Sequence, residues 1–255
     1  MKTLPGSGKI ILPADESRKQ LYYELISGGS GLLLALFMWG HLLLVGSILL
    51  GSRGFDWVAA TLEDYYIAQP TVAVIIFAFL VHAVTASRKI PAQLRERKAM
   101  QQLAKGLRHA GRGRPVASHE YSAFKPHLES MLWIWQVRTG MVMLVLGSSH
   151  LILLGLDIFT PLFGVTTGIE AVSSLQRVQA GLWPLYGLLL LCVEFHASVG
   201  LYRLMVKWGI GSRFTRTTLR RIERVMFWLL LGLGVLTLVV LAGWLSPPLA
   251  FLIAG

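Results

Sequence analysis

Five stretches of this chain run for about twenty residues or more with at most one charged side chain, and that pattern admits few folds. They lie at 25–52, 65–87, 130–156, 178–202 and 225–245, the last continuing uncharged to Gly255 beyond a break at Ser246-Pro247-Pro248. About 20 apolar residues in a helix cross ~30 Å of hydrocarbon. A backbone in lipid must satisfy its own polar groups, so each stretch reads as a transmembrane helix. Composition agrees, since 54% hydrophobic residues against 15% charged, with a mean hydropathy of +0.60, do not suit a water-soluble surface. The first span follows some two dozen largely polar residues and has no small-x-small exit site, so it does not read as a cleaved signal peptide.

The 24 Lys and Arg residues orient the spans. Short cytoplasmic loops collect cations. Four precede the first span, ten fall between Arg88 and Lys125, and seven between Arg203 and Arg224, whereas the other two loops hold only Arg53 and Arg177. The expected topology is a cytoplasmic segment 1–24, a membrane domain 25–245 with a basic cytoplasmic loop 88–127, and an outer tail 246–255. The N-terminus is inside and the C-terminus outside, as for a multi-pass protein of the cell inner (cytoplasmic) membrane. Topology thus accounts for most of the net charge of +11, and nothing is left that calls for nucleic acid. The first half of the basic loop, opened by Pro91, reads as a surface helix that either meets anionic membrane lipid or docks a peripheral subunit.

One cysteine, Cys192, excludes a disulfide scaffold, a zinc-thiolate cluster and a Cys-ligated iron–sulfur centre. Four of the seven histidines, His41, His82, His150 and His196, each sit in a different span. Ionisable groups at membrane depth are costly and tend to be functional. Without thiolates, imidazole is the ligand suited to haem iron, and two imidazoles make one six-coordinate centre. At 1.5 Å per residue, His41 and His150 lie roughly 10–15 Å from the outer ends of their helices, and His82 and His196 roughly 18–20 Å. That pairs His41 with His150 on an outer haem and His82 with His196 on an inner one. Small residues nearby, among them Gly140 and Gly147 before His150 and Gly200 after His196, suit a flat macrocycle but equally suit plain helix packing.

Several strings extend this reading: Phe37-Met38-Trp39-Gly40-His41, Gly147-Ser148-Ser149-His150, and Glu194-Phe195-His196-Ala197-Ser198-Val199-Gly200-Leu201-Tyr202-Arg203 followed by Val206-Lys207-Trp208-Gly209. In order and spacing over about residues 20–245, the chain resembles the di-haem cytochrome b subunits of the succinate:quinone oxidoreductase superfamily, the single-anchor, five-helix kind found in menaquinol:fumarate reductases. The resemblance implies an all-α membrane protein with four of five helices bundled around two stacked b haems ligated by the same four histidines. It implies menaquinol as substrate, flavoprotein and iron–sulfur subunits on the cytoplasmic side, and a dimer of such heterotrimers.

It also implies roles for individual residues. Glu63, in the outer loop, matches the acid that accepts the quinol proton, with Asp64 as the alternative; by itself it is an ordinary solvated acid. Glu194 matches a transmembrane proton route, where the bland alternative is a static hydrogen-bond partner. Lys207 and Trp133 match contacts to haem propionates, and Ser27, Ser30 and His127 are candidates by position. Arg177 corresponds to a polar contact near the outer haem. Arg138 has no counterpart, but its depth two turns inside the third span offers it to the inner propionates. Lys207 could instead simply snorkel to the interface. The basic loop is longer, and the C-terminus more apolar, than the resemblance leads one to expect. Two other readings stand beside this one: a di-haem cytochrome b of another dehydrogenase or hydrogenase, and a haem-free anchor or transporter whose histidines pack or relay protons.

Overall fold

The computed structural model describes residues 14–88, 90–111, 128–164, 168–210 and 212–253, and among these there is no strand. Five helices are long and apolar enough to span a membrane. They are α1 (Ala14–Gly46), α3 (Ala68–Ser87), α5 (Leu128–Phe159), α7 (Trp183–Trp208) and α8 (Arg216–Leu241). α1 and α8 begin well before their apolar stretches, at Ala14 and Arg216, and the other ends differ by a few residues. The 33 residues of α1 cover about 50 Å, well beyond the hydrocarbon, so its polar first turns stand clear of the membrane. Past α3, the basic segment forms α4 (Ile90–Gly111), twice the length of the Pro91 helix expected from sequence. His127 lies outside the described residues.

Packing is pairwise. α1 lies against α3, α5 against α7, and α7 against α8, while α1 also touches α7 and α8. Few side chains are buried along the middle of the spans, as expected where one face of each helix meets lipid. The apolar core instead gathers at one end of the spans, where Ile48, Leu49, Phe55, Ala171, Val178 and Val240 pack together. Ile48 and Leu49 belong to a 3₁₀ turn, Ser47–Leu50, that follows α1 and stops at Gly51, whose φ of 94° is open to glycine at little cost.

The outer segment after Gly51, expected as a loop, is a helix, α2 (Ser52–Asp64). Its Phe55 and Ala59 are buried on one face, leaving Trp57, Glu63 and Asp64 exposed on the other. The amphipathic spacing is weak in the sequence because the segment is short and stands between two much stronger spans. α2 ends with Tyr66 N–H donating to Glu63 O (2.8 Å) and Ile67 N–H to Leu62 O (2.9 Å). This is a left-handed helix stop with Tyr66 (φ 54°) at the position glycine usually takes.

Asp56 of α2 accepts the Ala171 N–H (2.8 Å) and so caps the short α6 (Ala171–Arg177). A π turn, Val178–Leu182, joins α6 to α7. At the end of α6, Arg177 donates to Asp157 of α5 (2.5 Å), to Gly168 O (2.8 Å) and to Ser174 Oγ (3.1 Å). Both members of the ion pair are buried. Removing one partner of such a pair costs about 3–5 kcal/mol, whereas replacing both by apolar groups does not. Asp157→Ala should therefore lower the thermal midpoint of the purified protein markedly, and the Asp157→Leu/Arg177→Leu double variant should recover most of it.

Candidate haem ligands and buried acids

His82 of α3 and His196 of α7 face each other edge-on, with ring centroids 6.3 Å apart and planes at 87°. Two imidazoles on opposite sides of one metal ion stand at about this separation, given two metal–nitrogen bonds of about 2 Å and half a ring at each end. Their hydrogen bonds orient them for that use. His82 Nδ1 donates to Ser27 O (3.1 Å) and His196 Nδ1 to Gln136 O (2.9 Å). A carbonyl can only accept, so in both rings the proton is on Nδ1 and the lone pair is on Nε2, free for a ligand. A main-chain carbonyl behind a histidine ligand fixes tautomer and ring direction. The donor set therefore fits a bis-imidazole haem.

One local device produces both bonds. Each accepting carbonyl belongs to a helix, where it already bonds the N–H four residues on, and that fourth residue is a glycine: Gly31 after Ser27, Gly140 after Gln136. A Cβ at Gly31 would lie 2.8 Å from His82 Cε1, and one at Gly140 equally 2.8 Å from His196 Cε1. Only a bare α-carbon lets the ring reach the second lone pair of the carbonyl. Gly140 thus serves His196 on the neighbouring helix, not His150 on its own. Likewise Gly200 receives the Gln136 side chain and Gly147 lies against Phe79. The small residues admit side chains from the next helix.

The outer pair is held differently. His41 stacks on Phe37 one turn earlier (5.6 Å). His150 meets Tyr186 edge-on (5.4 Å), and its Nδ1 is buried with no hydrogen-bond partner among the described residues. His41 and His150 lie within electrostatic range of each other. Tyr186 stands between His150 and the Arg177–Asp157 pair. Arg177 lies within electrostatic range of His150, but most of its donors are taken by Asp157, Gly168 O and Ser174.

Of the remaining residues, Glu194 is 1% exposed, and its Oε2 has no hydrogen-bond partner among the described residues. The Trp39 indole lies beside it without completing a hydrogen bond, and Ser198, one turn along α7, is also buried and unpaired. Glu63 is exposed at the end of α2, next to Asp64. Ser27 meets the inner site through its carbonyl, while Ser30 Oγ donates to Ile26 O (2.7 Å) and lies 3.3 Å from His82 Nδ1. Lys207, in the last turn of α7, pairs with Glu24 of α1. Trp133 and Arg138 line a cleft of about 300 Å³ between α4 and α5, with the Arg138 guanidinium over the Trp135 ring at 5.2 Å. Gln136, Gly31, Trp39 and Tyr186 were not singled out as functional from sequence. A glycine four residues after a helical carbonyl, opposite a membrane histidine, is the signal that identifies the first two.

Comparison with known proteins decides the family. The family described as succinate dehydrogenase/fumarate reductase transmembrane subunit matches residues 111–245. The fumarate reductase cytochrome b subunit of Wolinella succinogenes is 34% identical over 240 residues, covering 87% of this chain and 82% of that one. This chain belongs to that family. The fumarate reductase cytochrome b subunit of Helicobacter pylori is similar too, 31% identical over 224 residues, with 82% and 76% covered. As a succinate dehydrogenase/fumarate reductase transmembrane subunit, the chain is a membrane anchor of the fumarate reductase family. The family match takes in His150, Glu194 and His196, whereas His41 and His82 lie before it.

Gly31→Val and Gly140→Val should each drive an imidazole off its carbonyl and lower the b-type absorbance per chain. Gly29→Val meets open space at Cβ and should leave the absorbance unchanged. The readout is the reduced-minus-oxidised spectrum of the purified subunit.

Proposed function

We propose that this chain is the di-haem cytochrome b subunit of a menaquinol:fumarate reductase, carrying electrons between menaquinol at its outer side and an iron–sulfur subunit on the cytoplasmic side. The observation that carries this reading is the His82–His196 pair, edge-on at 6.3 Å with both Nδ1 atoms spent on main-chain carbonyls. Two b haems are held, the inner by His82 and His196 and the outer by His41 and His150. Haem bound at these pairs supplies one-electron transfer, which joins two-electron quinol chemistry to a chain of one-electron carriers.

The protein's own groups do the rest. Glu63, exposed on α2 at the outer rim, accepts a proton from the menaquinol hydroxyl, as oxidation of a quinol requires a base within reach; Asp64 beside it is the alternative. Glu194 serves proton transfer across the membrane: its unpaired oxygen and those of Ser198 and the Trp39 N–H are buried polar atoms that a proton or a water can use. Lys207, Trp133, Ser27, Ser30 and His127 attend the inner propionates, with Arg138 as a further cation nearby, and Arg177 fixes the surroundings of the outer haem. The flavoprotein partner interconverts fumarate and succinate, so the same residues serve either net direction. The complex sits in the cell inner membrane with the N-terminus of this chain cytoplasmic, and two heterotrimers pair into a dimer.

An absorption spectrum of the purified complex tests this reading: a reduced b-type α band at two haems per chain is expected, with flavoprotein and iron–sulfur subunits copurifying. A spectrum without that band sinks it. Copurification with a hydrogenase would reassign the chain. Glu194→Gln should retain both haems while menaquinol-linked turnover falls by about a hundredfold. Unchanged turnover with unchanged haem titration removes Glu194 from the proton route.

A further inference from the structure

We propose that Gln136 and Arg203 are positioning residues that hold the His196 imidazole and set the reduction potential of the inner centre. This rests on His82 and His196 being haem ligands. Gln136 is engaged three times by one face of α7. Its main-chain oxygen accepts His196 Nδ1 (2.9 Å), its side-chain Oε1 accepts from Arg203 Nη1 (2.8 Å), and its Nε2 lies where a Cβ on Gly200 would come within 3.0 Å. His196, Gly200 and Arg203 are spaced four and three residues apart, so they present one stripe of α7 to one residue of α5. The ligand, its acceptor and a half-buried guanidinium form one connected unit.

The other inner ligand has the same kind of acceptor, but among the described residues no cation is hydrogen-bonded to the residue that supplies it: the Ser30 hydroxyl lies there, itself bonded to Ile26 O, and Lys207 one turn away is paired with Glu24. A guanidinium bonded to the acceptor residue is thus a feature of the His196 side. It cannot be discharged, and in a site of low dielectric a fixed cation favours the reduced, less positive form of a nearby metal centre. Glu129 is close enough to interact with Arg203, yet it is also tied up as acceptor of the Tyr202 hydroxyl (2.7 Å). Arg203 is therefore anchored between Gln136 on the ligand side and Glu129. Pinning the Gln136 side chain also pins its carbonyl, because a shift of α5 against α7 large enough to free the imidazole must break the Arg203 bond as well.

The test is a redox titration of the b haems in the whole purified complex, followed by absorbance, with electron paramagnetic resonance of the oxidised form to report imidazole orientation. Arg203→Gln should keep both haems and lower one midpoint by about 59 mV, a tenfold change in its oxidised-to-reduced ratio. Arg203→Lys should recover most of the shift. Gln136→Leu keeps the main-chain carbonyl but frees the guanidinium, and should move both the same midpoint and the resonance of that haem. Arg213→Gln removes an exposed cytoplasmic cation and should move neither. Retained haems with unmoved midpoints in Arg203→Gln overturn the proposal. A shift in Arg203→Gln with no change in Gln136→Leu also overturns it, because the cation would then act without its anchor. If Arg203→Gln does not assemble, Gln136→Leu decides alone, an unmoved midpoint being fatal. A parent complex with no b-type band is a different result, since it removes the haem ligands themselves.

Discussion

The bonds from His82 and His196 to the carbonyls of Ser27 and Gln136 are the joints on which this molecule is organised. An imidazole among apolar helices has to place its N–H somewhere, or the burial of that group goes uncompensated. Here each N–H takes the second lone pair of a carbonyl in the adjacent helix, and glycine four residues on makes room for it. Three properties follow from one contact. The tautomer is decided, Nε2 is left free of the carbonyl, and the register of α1 against α3 and of α5 against α7 is fixed. Lipid tails are as apolar as leucine, so no hydrophobic gain drives these helices together, and specific polar contacts and close packing must define the pairs.

The two depths of the bundle are stabilised by unlike means. At the inner depth, order comes from main-chain acceptors and from the polar network through Gln136, Arg203, Tyr202 and Glu129. At the outer depth it comes from an apolar cluster drawn from the end of α1, α2, α6, the π turn and α8, braced by the Asp157–Arg177 pair. Among the described residues no carbonyl takes the His150 Nδ1, and the ring leans on that of Tyr186. The inner imidazoles are thus held by hydrogen bonds whose directions are strict, and the outer ones by ring contacts that tolerate rotation.

The five spans are legible in the sequence because they depend on local counting, of charge-free length along one helix at a time. The membrane fold itself follows from the same count. What sequence could not supply is which element meets which. Gly140 was grouped with His150 because they share a helix, yet it receives His196 from the next one. Arg177 was placed near the outer site, but its partner Asp157, 20 residues earlier in the chain, was invisible as a partner. α2 is hidden for another reason: much of its surface is exposed, and its burial depends on neighbours from four other elements. Interhelical facts of this sort are set by packing, and packing does not show in the spacing of any one helix.

The left-handed Tyr66 has a consequence for the outer rim. A side chain with a Cβ pays about 1–2 kcal/mol to sit there. The two bonds that hold the turn, from Tyr66 and Ile67 back to Glu63 and Leu62, return a net ~1 kcal/mol each. These terms nearly cancel. The last turn of α2 is therefore close to a tipping point between wound and unwound, while the spans beside it are fixed by their lengths in the bilayer. The surroundings of the exposed Glu63 at that turn can therefore change by fraying of one turn, without movement of a transmembrane helix.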